Sequence, residues 1–185
     1  PRVGPNAIIQ MAEALEAAGG PALARRIFER AGLTSLLRTP PASMVPEAMV
    51  ARLNAAVIDD LPPAASAAML REAGLRTGDY ILTHRIPPAA RWLLRRLPAR
   101  LAGPILMTAV ARHAWTFAGS GEVSTGRRPC LWIRIAGNPL AQPGCPWHAA
   151  VFERLFRTLV AADCAIVHTD CCSHGAPACR FEIRY

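Results

Sequence analysis

The 185 residues are 52% hydrophobic, which suits one domain with a buried core. All 21 basic residues are arginine and none is lysine; against 13 acids this leaves a formal charge of +8, so anionic ligands, membrane surfaces and nucleic acid are admissible partners. No apolar run reaches the roughly 18 residues that cross a bilayer, the best being 101–111 with Pro104 inside it, and no basic-then-apolar leader opens the chain, so a cytoplasmic protein, soluble or peripheral to a membrane, is the expectation.

The first hundred or so residues read as short helices separated by proline and glycine. Ile8, Met11 and Leu15 share a helical face that Gly19-Gly20 ends; Leu23, Ile27 and Phe28 mark the next segment, and Pro40-Pro41 breaks the chain. Pro46 opens a helix whose buried stripe is Leu53, Val57 and Leu61. Further helical pieces are predicted over 63–73, 77–85, 87–97 and 98–112.

After His113 the pattern changes. Residues 115–123 and 129–136 are rich in aromatic and β-branched side chains and flank a glycine-bearing turn at 124–128, which predicts a β-hairpin. Val151, Phe152, Leu155, Phe156 and Leu159 recur at helical spacing between 146 and 162. Phe181, Ile183 and Tyr185 alternate with Arg180, Glu182 and Arg184 as a half-exposed strand should, and 165–168 can pair with it. The fold class expected is α+β: an antiparallel sheet of about four strands in the order hairpin, helix, hairpin (113–185), covered by a layer of helices (1–112), the whole forming a single domain over 1–185. An exposed sheet edge would permit a homodimer.

Six cysteines lie mostly in the last third, and without a secretion signal metal binding is expected over a disulfide framework. Cys171 and Cys179 are separated by seven residues that include Gly175 and Pro177, a loop able to bring two sulfurs to one point. His168 sits three residues before Cys171, and Cys145 just ahead of the helix that leads to that strand, so one Cys₃His set can converge on a tetrahedral, closed and therefore structural zinc site. Cys172, Cys164 and His174 are alternative ligands, Cys172 the most serious of them. Reduced, buried cysteines acting as small apolar residues are the other reading.

The stretches RTGDYILTHRIP (76–87), RHAWTFAGSGEV (112–123), NPL (138–140), and FERLFRTLV (152–160) followed by CCSHGAPACRFEI (171–183) resemble the bacteriochlorophyll 4-vinyl reductase family, as does the opening RVGPNAIIQ (2–10). The resemblance spans nearly the whole chain. It implies a mixed α/β fold shared with aromatic-sensing activators and vesicle-tethering subunits, with a small-molecule cavity between helices and sheet. In those sensors a zinc site is built from a cysteine before the helix, an acidic residue and two cysteines seven apart; carried over, the pattern falls on Cys145, His168, Cys171 and Cys179, with histidine in place of the acid.

The same resemblance implies a cyclic tetrapyrrole ligand, of divinyl protochlorophyllide or magnesium porphyrin type: a flat apolar ring with anionic edges. Between Tyr80 and Gly121 there are six arginines, two tryptophans and no acidic residue. His113 and His84 are candidates for an axial nitrogen, Trp115 and Phe117 for stacking on the ring from an adjacent strand, and Arg85 for a carboxylate. The aromatics as core and the arginines as a solvated or membrane-surface face are the competing readings. No catalytic residue is identifiable. A vinyl reductase needs a hydride donor, yet Gly119-Ser120-Gly121 lacks the spacing and setting of a dinucleotide-binding loop, and the cysteines form no iron–sulfur run. The leading expectation is thus a protein that binds or carries the tetrapyrrole for bacteriochlorophyll biosynthetic enzymes; a reductase using an external hydride donor is second. A ligand-sensing regulator is last, because no helix-turn-helix accompanies the domain, and nucleic acid is not an expected partner.

Overall fold

A computed structural model describes residues 1–185 throughout. A short bridge, β1 (Arg2–Val3) with β2 (Val45–Pro46), ties the N-terminus beside α3 (Glu47–Asp60). Between its strands run α1 (Asn6–Arg30) and the single turn α2 (Ser35–Arg38). Helix α1 keeps the break foreseen at Gly19-Gly20 as a kink, Gly20 taking φ 69°. Residues expected to form two pieces make one 22-residue helix, α4 (Pro63–His84), because Gly74, Thr77 and Gly78 lie on its buried side. A Cβ on Gly74 would fall inside contact distance of the Trp147 carbonyl and 2.8 Å from the Ala150 Cβ. These glycines let two helix backbones approach closely rather than interrupting one helix.

Helices α5 (Pro88–Arg96) and α6 (Ala99–Arg112) follow, and then the chain departs from expectation. Residues 115–123 do not form a strand. Ala114–Thr116 is a 3₁₀ turn, Gly4 donates its N–H to the Thr116 carbonyl at 2.7 Å, and Gly119 takes φ 57° beneath the Glu47 carboxylate. That carboxylate accepts both the N–H and the hydroxyl of Ser120, at 2.7 and 2.9 Å. The backbone of this stretch is thus committed to the N-terminal bridge and α3, and its aromatic residues serve packing instead of a ladder.

The first strand, β3 (Glu122–Gly126), occupies what was expected to be the turn; the chain reverses at 127–130, where the Arg128–Pro129 peptide is cis, and returns as β4 (Leu131–Ala136). Helix α7 (Pro146–Leu159), β5 (Ala165–Asp170) and β6 (Ala178–Arg184) complete the domain. The sheet is antiparallel throughout, in the order β3-β4-β6-β5. This is the expected four-stranded sheet covered by helices, with one hairpin displaced along the chain.

Leu131, Ile133 and Ile135 of β4 and Cys179, Phe181 and Ile183 of β6 point to one face, as the period of two requires, and α7 lies across them with Val151, Phe152, Leu155 and Phe156. Phe152, Phe156 and Phe181 are wholly buried, so side chains fill the layer between α7 and the sheet where a ligand cavity was expected. Helix α4 backs α7 from the other side, and one contiguous core joins the helical and sheet portions.

A candidate metal centre and an arginine-rich face

Where α7 meets the sheet, the ligating atoms of Cys145, His168, Cys171 and Cys179 all lie within 4.8 Å of one another. Each is delivered by a distinct local device. Cys145 precedes Pro146 at the start of α7, and Gly144 and Cys145 both take positive φ, 74° and 43°. A left-handed cysteine costs about 1–2 kcal/mol and persists only where surrounding contacts hold it. His168 faces Phe181 across the β5–β6 ladder and stacks on its ring at 4.6 Å; a bulge follows it, before Asp170. Cys171 and Cys179 are joined by a knuckle in which the N–H groups of His174 and Ala176 return to the Cys171 carbonyl and Gly175 takes φ 85°. Cys179 then enters β6 opposite Ile135.

The Cys145 sulfur lies 3.5 Å from that of Cys179 and 3.7 Å from that of Cys171. A disulfide would need about 2.05 Å. Three thiolates on a tetrahedral ion with metal–sulfur distances of about 2.3 Å would sit about 3.8 Å apart, so the group matches a coordination shell and not a crosslink. The buried Nε2 of His168 has no hydrogen-bond partner. The sulfur of Cys179 accepts the backbone N–H of Cys172 and the amide Nδ2 of Asn138, each at 3.4 Å, an arrangement suited to a thiolate. Asn138 is itself fixed by accepting the Leu140 N–H at 3.0 Å on its Oδ1. Without a metal, the hydrogen bond between Cys145 and Cys179, together with burial, pushes the Cys145 thiol far up. The same bond, aided by His168, Cys172 and Asn138, pulls Cys179 well down. One proton is thus shared across the pair, and this Cys₃His donor set can hold a metal ion.

The alternative ligands lie outside the cluster. Cys172 is half-buried with its sulfur 4.0 Å from the Ile135 carbonyl, and contributes a backbone N–H to the group. His174 is exposed in the knuckle. Cys164 is buried at the turn between α7 and β5, where desolvation pushes its thiol up to about 11.

Two buried residues beside the centre escaped the sequence reading. Asn138 was visible only as part of a motif. His148 lies three residues beyond Cys145 and is wholly buried; its Nε2 is 3.3 Å from the Phe117 carbonyl, and desolvation lowers its pKa to about 4. The clue was the i, i+3 spacing from Cys145, which places it one turn inward.

The expected ligand residues separate into distinct places. Phe117 is partly buried and packs edge-on against Phe152 at 5.6 Å, in a turn and not on a strand. His84 ends α4, its ring stacked on Tyr80 at 4.5 Å and its Nδ1 3.2 Å from the Tyr80 carbonyl; Arg85 lies over the same ring at 5.9 Å. His113 is exposed at the end of α6, and Trp115 just beyond it is 56% exposed. On α5, a surface cleft of about 480 Å³ is lined by Pro88, Arg91, Trp92, Arg95 and Arg96.

Residues 136–185, which contain the whole cysteine–histidine cluster, match the 4-vinyl reductase domain. Across 98% of its length the chain is 49% identical to a protein of Cereibacter sphaeroides named bacteriochlorophyll synthase 23 kDa chain, 90% of which is covered. A Rhodobacter capsulatus protein of the same name is 40% identical over 99% of this chain and 87% of its own. Among solved structures, an H-NOX protein from S. oneidensis, in the Fe(II)NO ligation state, superposes with a TM-score of 0.54 over 98% of both chains at 11% identity; that shared fold is one in which helices and sheet enclose a common core.

Proposed function

Because this chain belongs to the family of the bacteriochlorophyll synthase 23 kDa chains, we propose that it binds a tetrapyrrole intermediate of bacteriochlorophyll synthesis and carries it to the biosynthetic enzymes, as a single domain stapled by structural zinc. The ligand is an anionic macrocycle of the divinyl protochlorophyllide or magnesium porphyrin type. The observation that carries this reading is the segment from Tyr80 to Gly121, which has no acidic residue and whose arginines make no ion pair with a carboxylate, beside exposed Trp92 and Trp115. Elsewhere arginines are matched: Arg26 and Arg30 with Asp60, Arg71 and Arg157 with Glu153, Arg154 with Asp79. Unmatched guanidinium groups beside aromatic rings suit a flat apolar ring with carboxylate edges.

Of the five residues considered for the ligand, His113 and Trp115 are preferred, since both are exposed at the end of α6 and neither ring is occupied by a neighbour. His84 and Arg85 are engaged with Tyr80, and Phe117 with the core. Zinc would be held by Cys145, His168, Cys171 and Cys179; with four protein ligands it leaves no open position and serves folding. The cytoplasmic face of a membrane is the proposed location, since no helix is long and apolar enough to cross one.

Titrating the purified protein with divinyl protochlorophyllide tests the reading. A saturable absorption shift near one pigment per chain, unchanged by NADPH and weakened by His113→Ala, is expected. Conversion to the monovinyl product that requires both protein and NADPH would replace carriage with vinyl-group reduction, and no shift would end the pigment reading.

A further inference from the structure

The molecule exposes six large hydrophobic side chains, and five of them fall between residues 92 and 115: Trp92, Leu93, Leu101, Ile105 and Trp115. The sixth, Tyr185, reaches back to Gly103 of α6. Leu101 and Ile105 are one turn apart and form an outer stripe on α6 that ends at Arg112. On α5, Trp92 and Arg96 are likewise one turn apart, the guanidinium 4.6 Å over the indole, with Leu93 and Arg95 flanking them. Only Leu97-Pro98 separates the two helices, and both pack on α7, so their exposed sides face away from it.

Apolar side chains on an outer helix face cost solubility unless something covers them. The charges say what. Arg95, Arg96 and Arg100 are exposed and Arg91 is half-exposed; none pairs with a carboxylate, and the chain offers no acid from Tyr80 to Gly121. A second copy docking through the same face would set these arginines against each other. Short helices bearing tryptophan and aliphatic residues among cations match instead the interface of an anionic bilayer, where indoles sit at headgroup depth and arginines reach phosphates while their stems cover apolar surface.

We propose that the outer side of α5 and α6 is a docking surface for an anionic lipid bilayer, placing the domain flat on a membrane without crossing it. This goes beyond pigment binding and is tested without pigment. Purified protein is sedimented with phosphatidylcholine vesicles and with vesicles containing about 30% phosphatidylglycerol. Partition to the anionic vesicles alone is expected, reversed by high salt and accompanied by a blue shift of tryptophan emission. The pair Arg96→Gln/Arg100→Gln should weaken it about fivefold per arginine, and Ile105→Glu at least about tenfold. All three positions are exposed, so unchanged melting is expected. The pair Arg25→Gln/Arg38→Gln removes the same charge elsewhere and should leave partition unchanged. No partition, equal partition to neutral vesicles, or an equal loss in the Arg25/Arg38 pair would each overturn the proposal.

Discussion

Exchanging Cys179 for serine tests the metal centre most directly, since its sulfur is the hub of the group. It is wholly buried, lies 3.5 Å from the Cys145 sulfur and accepts two N–H groups. If zinc is bound there, replacing a thiolate by a hydroxyl lowers metal affinity by at least the about 100-fold that loss of an outer-shell partner can cost. At fixed free zinc, each tenfold loss of affinity removes about 1.4 kcal/mol of stability while the wild-type site stays saturated, so the variant loses at least about 2.7 kcal/mol. For a chain of this size that is a fall in Tm of about 5–10 °C. The assay is thermal unfolding of both proteins with and without a chelator, beside metal analysis of the untreated wild type. One zinc per chain, a chelator-induced fall of the wild-type Tm, and a much smaller gap between the proteins once both are stripped are expected. A serine hydroxyl can accept the same two N–H groups, so loss of a merely buried thiol leaves a small difference that chelator does not alter. A wild type that carries no metal and melts at the same temperature with chelator would refute the reasoning.

Three further outcomes follow from neighbouring geometry. Asn138→Ala removes one N–H from the Cys179 sulfur and should weaken zinc about 10–100-fold in a competition titration while the metal still binds. Gly74→Ala gains helix propensity of about 1 kcal/mol but forces α4 from the Trp147 carbonyl, a backbone atom that cannot turn aside, and should destabilise by about 1–2 kcal/mol net in denaturant unfolding. His148 has a folded pKa of about 4, below that of an unfolded histidine, so the unfolded chain takes up the proton first and stability falls as pH drops from about 6.5 towards 4. Between pH 7 and pH 5 this amounts to about 2 kcal/mol, and His148→Phe should show a correspondingly shallower loss over that interval.

The cysteine cluster was readable because its logic is local: two sulfurs seven residues apart around Gly175 and Pro177, a histidine at a strand end, and a cysteine at the start of a helix. The final strand was equally plain, since Phe181 and Ile183 alternate with charged residues and one side of the sheet is buried. Trp115 and Phe117 misled for a physical reason. Aromatic enrichment reports burial and packing, and a β-ladder is only one way to achieve them; here Gly4 and Glu47, more than 70 residues upstream, bind this backbone and leave none of it for the sheet. Gly74 and Gly78 looked like weak points of a helix because their reason for being small, the backbone of α7, lies on another element.

Sequence by itself determined what depends on neighbours within one or two turns: helical stripes, strand alternation, the acid-free stretch from Tyr80 to Gly121 and the donor atoms available for a metal. Tertiary structure alone decided what depends on partners distant in the chain. It excluded Cys172 from the four-atom cluster and turned its backbone N–H towards Cys179 instead, brought Asn138 beneath the same sulfur and filled the layer under α7 with phenylalanine. It also left Trp92, Leu101 and Ile105 uncovered, because α5 and α6 spend their other sides on the core. Periodicity specifies which residues share a face; only the packing of the whole chain specifies what, if anything, that face meets.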